Sequence, residues 1–77
     1  MGKKFDEQKI LAYALENAIV YDQAKINSVL GKLFLEGLEK SQIREIMPVL
    51  QKIVNEVNKL SIEERQSRFN KLSGIVS

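Results

Sequence analysis

Side chains able to do chemistry are scarce in this sequence. Glu63 and Glu64 stand side by side, and paired carboxylates can do general acid–base work. Adjacent residues on a helix point in different directions, however. Glu63 falls in a helix first turn favoured by the dipole, and Glu64 completes a cap, so both have structural roles instead. Tyr13 and Tyr21 are eight apart and lie roughly on one side of a helix; they read as half-buried core tyrosines, with base stacking as the alternative. The glycines at 2, 31, 37 and 74 are too scattered to form a phosphate-cradling loop. The 77 residues contain no His and no Cys, which excludes zinc fingers, Cys or His nucleophiles and a His general base.

The cations are more informative. Lys25 and Lys32 are seven apart, on one side of a helix that begins early enough. Arg65, Arg68 and Lys71 are spaced by three, with Arg65 and Lys71 drifting apart by about a third of a turn. Either set could meet phosphates, each contact adding salt-dependent affinity. A solvated face is the competing reading of both, and neither is interleaved with aromatics. Lys+Arg number 12 against 10 Asp+Glu, a net charge of +2 with a pI near 9.0, which permits nucleic-acid binding without arguing for it. Absent disulfides, composition gives no secretory signal. The longest strictly apolar runs, such as Ala18-Ile19-Val20, are too short to cross a bilayer.

These residues must be positioned by helices. One Pro and four Gly interrupt a chain rich in Leu, Ile, Lys, Glu and Gln, which reads as all-α, a small bundle of about four helices. A flexible leader (residues 1–5), a single helical domain (6–74) and a short C-terminal end (75–77) are expected. At this size a fold buries only about 60% of its unfolded surface, so stability should be marginal. Asp6 caps a first helix to about Val20, whose stripe is Leu11, Ala14, Leu15, Ala18 and Ile19, with Lys9, Glu16 and Asn17 largely outside it. Asn27 is the expected cap of a second helix through about Glu36, burying Val29, Leu30, Leu33 and Phe34 and ended by Gly37. Gly31 is an interior glycine, best explained by close packing of another helix over it. Ser41 is a plausible cap for the third and longest helix, ending near Leu60. Its seam of Ile43, Ile46, Leu50, Ile53, Val57 and Leu60 is widened by Met47 and Val54. Pro48 must kink or split this helix, and the unbroken apolar phase favours a kinked continuous one. Ser61-Ile62-Glu63-Glu64 is a capping box that opens a fourth helix, burying Ile62, Phe69 and Leu72 and ended by Gly74.

Six segments carry a family pattern: Tyr13-Ala14-Leu15-Glu16-Asn17-Ala18, Tyr21-Asp22-Gln23-Ala24-Lys25, Val29-Leu30-Gly31-Lys32, Glu45-Ile46-Met47-Pro48, Ile53-Val54-Asn55-Glu56-Val57-Asn58 and Leu60-Ser61-Ile62-Glu63-Glu64-Arg65. In this order and spacing, over residues 8 to 72, the chain resembles the N-terminal helical domain of archaeal glutamyl-tRNA synthetases. It is more distantly similar to the tail of the tRNA-dependent amidotransferase B subunit and to the N-terminal domain of eukaryotic glutaminyl-tRNA synthetase. The chain departs from the family pattern after the first helix, where the usual Asn-Gly-Lys-Ala is replaced by the shorter Asp22-Gln23-Ala24-Lys25.

The resemblance implies a non-catalytic, cytoplasmic appendage of a larger synthetase, whose ATP and magnesium are used elsewhere in that enzyme; no cofactor is expected in this segment. It implies an accessory role in tRNA binding through sugar–phosphate contacts by Lys25, Lys32 and Arg44, adding affinity but little sequence reading. The catalytic domain of the parent synthetase is the other implied partner. The alternative is a helical docking module that holds a partner protein through an open seam on the third helix.

Overall fold

The carboxylate of Asp6 accepts a hydrogen bond from the Gln8 N–H at 3.0 Å, satisfying one of the free donors at a helix start. The helix it opens, α1, runs Glu7–Tyr21. Three more follow: α2 (Ile26–Leu35), α3 (Ile43–Lys59) and α4 (Ile62–Val76), with a 3-10 turn at Lys40–Gln42 leading into α3. The computed structural model describes the backbone of residues 6–76 and the side chains of residues 6–72. The expected leader, residues 1–5, lies outside the described residues, as does residue 77. Among the described residues there is no strand, and α3 is the longest helix.

All three other helices pack on α1. The start of α2 lies beside Asn17 and its end beside Tyr13 and Lys9, so α2 runs antiparallel to α1. α4 is also antiparallel, because Arg65 near its start reaches the carbonyls of Ala18 and Asp22 at the end of α1. The core is Ile10, Ala14, Leu15 and Ala18 of α1, Val29 and Leu33 of α2, Leu72 of α4, and the α3 seam, with Ala24 and Leu38 filling in from the connections. Within that seam Leu50 and Val57 are fully buried and Ile46, Ile53 and Val54 nearly so. These seam residues face the core, so the middle of the seam is not the open docking surface expected on α3.

The helix ends explain most departures from the sequence pattern. α2 begins at Ile26, capped by the extended Lys25 rather than by Asn27, and no side chain caps it. Its end is a Schellman motif: the Leu38 N–H donates to the Leu33 carbonyl at 2.9 Å and the Gly37 N–H to the Phe34 carbonyl at 3.1 Å. Gly37 takes φ +112°, which a side chain would resist. Leu38 then turns into the core, and Phe34, expected inside, stays 39% exposed.

Gly31 is exposed, and a Cβ there would meet nothing within 4 Å, so no helix packs over it. Ser41 does not cap α3. Glu39 and Gln42 form a reciprocal capping box around the 3-10 turn instead. α3 continues unbroken through Pro48, whose missing N–H falls on the exposed side, where water can serve the orphaned carbonyl.

α4 passes through Gly74 to Val76 rather than stopping there. Ser61 caps it, its hydroxyl accepting from the Glu64 N–H at 3.2 Å. The Glu64 carboxylate turns to Arg68 (3.3 Å) instead of closing the box. Ile62 opens α4 beyond the packed layer and is 63% exposed.

Candidate nucleic-acid interface

The connection between α1 and α2 is held by three side chains from different helices. Asn17 of α1 is buried, and its amide oxygen accepts from the Lys25 N–H at 2.7 Å. Asn58 of α3 grips Ala24 from both sides, accepting from its N–H at 2.7 Å and donating to its carbonyl at 3.0 Å. Arg65 is only 7% exposed, and its guanidinium donates to four carbonyls: Val57 and Asn58 at the end of α3, Ala18 and Asp22 at the end of α1. Two helix C-termini, each with unpaired carbonyls and partial negative charge, therefore converge on one cation. The Asp22 carboxylate is 4.0 Å away and itself exposed, so the neutral carbonyls carry most of this interaction. Asp22 has φ +66°, the left-handed conformation that ends α1 without a glycine. No buried side-chain polar atom among the described residues lacks a partner.

Arg65 is thus a structural clamp, and the triad of Arg65, Arg68 and Lys71 does not form one cationic face. Arg68 and Lys71 are exposed, Arg68 paired with Glu64. The sequence carried a signal for the clamp. Arg65 falls on the line of Phe69 and Leu72, and Asn17 on the line of Ile10 and Ala14, so each is a polar residue on an apolar stripe. Asn17 is accordingly inside the packed face of α1, not outside it.

The three lysine and arginine candidates differ in environment. Lys25 is exposed at the start of α2, and its ammonium has no ion pair among the described residues. Arg44 is likewise exposed, in the first turn of α3. Lys32 is drawn back toward α1: its ammonium pairs with Glu16 and lies over the Tyr13 ring, 5.6 Å from the centroid. With 39% of its side chain exposed it still faces water. Lys25 precedes α2 and Lys32 lies within it, whereas Arg44 stands beyond the far end of that helix, about 15 Å of helical rise from Lys25. The three do not form a single patch.

Tyr13 and Tyr21 also separate. Tyr13 is half-buried as expected, and its hydroxyl donates to Glu36, which also holds Lys9 at 2.7 Å. Burial chiefly, then the Glu36 hydrogen bond and the negative charges of Glu36 and Glu16, push the Tyr13 phenol up to about 12. Tyr21, by contrast, is 67% exposed, beside Val20 at 62%.

Two shallow clefts flank Leu11. One, of about 290 Å³, is bordered by Glu7, Lys52 and Glu56; the other, of about 490 Å³, by Glu64, Arg68 and Lys71. Among the described residues no group of three His, Cys, Asp or Glu side chains could hold a metal, and no helix is long and apolar enough to cross a membrane.

Comparison with known proteins gives the frame for these features. Glutamate–tRNA ligase of Methanocaldococcus jannaschii is 44% identical over 68 residues, covering 86% of this chain. The ligases of Pyrococcus furiosus and Pyrococcus abyssi are 43% and 42% identical over 86% and 82% of it. This chain is similar to a segment of the archaeal glutamyl-tRNA synthetases. It spans about 12% of the length of the synthetases it matches. No protein-family model and no solved structure matches it. In the synthetase-like sequence the Asn17, Asn58 and Arg65 that lock the first turn all lie within the segments that carry the resemblance.

Proposed function

We propose that this chain serves as a non-catalytic helical domain of a glutamyl-tRNA synthetase, placed ahead of the catalytic part, where it assists tRNA binding. The observation that carries this reading is the similarity to archaeal glutamate–tRNA ligases over more than four-fifths of the chain. The exposed cations support it. Lys25 and Arg44 are exposed, without an ion pair among the described residues, and can meet phosphates; Lys32 can join them by giving up Glu16. Such contacts add affinity and position the RNA without reading its sequence. ATP and magnesium belong in this reading to the catalytic part, and the helical domain works against that part and the tRNA together.

Deleting the matching segment from the Methanocaldococcus jannaschii ligase tests the proposal. The Michaelis constant for tRNA should rise several-fold with kcat little changed. An unaltered Michaelis constant at low salt would overturn it.

One observation favours a second reading, a protein-docking role: Leu35 is 90% exposed next to Phe34 at the end of α2. The buried middle of the α3 seam counts against the docking surface expected from the sequence, and the end of α2 is the surface this observation offers instead. Deletion that leaves tRNA kinetics intact but loses a partner subunit would favour this alternative.

A further inference from the structure

The α1–α2 corner is far more tightly held than a four-residue surface connection requires. A buried arginine, a buried asparagine and a half-buried asparagine from three helices fix the backbone of Asp22, Ala24 and Lys25. Desolvating a guanidinium is costly, and here its donors are spent on fixing the turn in which Asp22 ends α1 in the left-handed conformation. A backbone fixed from several sides presents its exposed side chains from a defined frame.

What this rigid corner offers to solvent is specific. Tyr21 at its start is 67% exposed and Lys25 at its end is exposed with no ion pair among the described residues. A four-residue span places their backbones within about 14 Å, so one strand of nucleic acid can meet both.

We infer that Tyr21 and Lys25 form a binding site for unpaired RNA, the Tyr21 ring stacking on an exposed base and the Lys25 ammonium meeting a neighbouring phosphate. The inference rests on the tRNA-assisting reading and narrows it, from backbone contact in general to a single-stranded loop, bulge or end. An aromatic face is of use only to a base outside a duplex, whereas a lone cation serves either form. Fixing the backbone on either side of Tyr21 in advance also removes part of the ordering cost from binding.

The test is a titration of the 77-residue chain with a labelled single-stranded RNA of mixed sequence and with the blunt duplex of that sequence. The single strand should bind more tightly. Tyr21→Leu should weaken single-strand binding roughly 5- to 100-fold, leave duplex binding and the salt slope unchanged, and be rescued by Tyr21→Phe. Lys25→Ala should weaken both and lower the salt slope by about one. Tyr21 is exposed, so circular dichroism melts of the variants should match the parent chain. Equal single-strand affinities for the parent chain and Tyr21→Leu would overturn the inference while the tRNA-assisting reading stands, leaving the corner to a protein partner. Absence of binding to any RNA, intact tRNA included, would overturn both.

Discussion

Two polar clusters tie α1 to its neighbours, and they differ in burial. At the C-terminal end of α1, Arg65, Asn17 and Asn58 meet backbone groups in a largely dry environment. Along the flank facing α2, Lys9, Tyr13, Glu16, Lys32 and Glu36 form a half-exposed chain of ion pairs and a phenol hydrogen bond. Opposite charges pair in the second cluster, while the first is mostly a cation against neutral carbonyls. The drier cluster should nonetheless matter more. Removing a buried partner leaves carbonyls without water, whereas exposed charges fall back on solvent.

The comparison can be broken most sharply at Arg65. Arg65→Met keeps much of the bulk and deletes the donors, and thermal melts should show a loss of about 3 kcal/mol. A loss no larger than that of a surface pair would mean the clamp is dispensable. Asn58→Leu, which strips both bonds from Ala24, should cost about 2 kcal/mol in the same measurement.

The two glycines bordering these clusters give effects of opposite sign. Gly37→Ala should destabilise by about 1 kcal/mol because φ is +112°. Gly31→Ala should stabilise by up to about 1 kcal/mol, since its Cβ meets open space in a helix interior.

The flank should respond least in stability but visibly in titration. Glu36→Gln should cost under about 1 kcal/mol. In a Tyr21→Phe background, where Tyr13 is the single phenol, absorbance should show it titrating near 12, and lower once Glu36 is neutralised. The sign for stability follows from the raised value. The folded protein holds the Tyr13 proton more tightly than the unfolded chain. This contribution is therefore complete below pH 10 and is lost as the pH rises from about 10 toward 12. Urea melts across that range should show stability falling, and falling less in Glu36→Gln.

The helices were legible because apolar spacing reports which face is inside. Leu15, Leu33, Leu50 and Val57 are all fully buried, and Asp6 and Ser61 cap as their side chains suggest. Most of the errors lie at helix ends, with Asn17 and Gly31 the exceptions inside helices. Asn27 and Ser41 lost their capping roles to Lys25 and to the Glu39–Gln42 box, because neighbouring turns fix where a helix starts. Ile62 and Phe34 stayed outside since a stripe does not say how far the packed layer extends.

The site was less legible. Spacing placed Arg65 with Arg68 and Lys71, but whether a cation meets solvent or a helix terminus depends on a contact 43 to 47 residues away. Tyr21 was grouped with Tyr13 by the same reasoning, and only the end of α1 separates them.

The most direct measurement of the central claim is a salt-dependent titration of the 77-residue chain with tRNA, comparing the parent sequence with Lys25→Ala. Binding that weakens as salt rises, with a slope reduced by about one in Lys25→Ala, is the expected result. Binding that ignores both salt and Lys25, or no binding at low salt, would contradict the account.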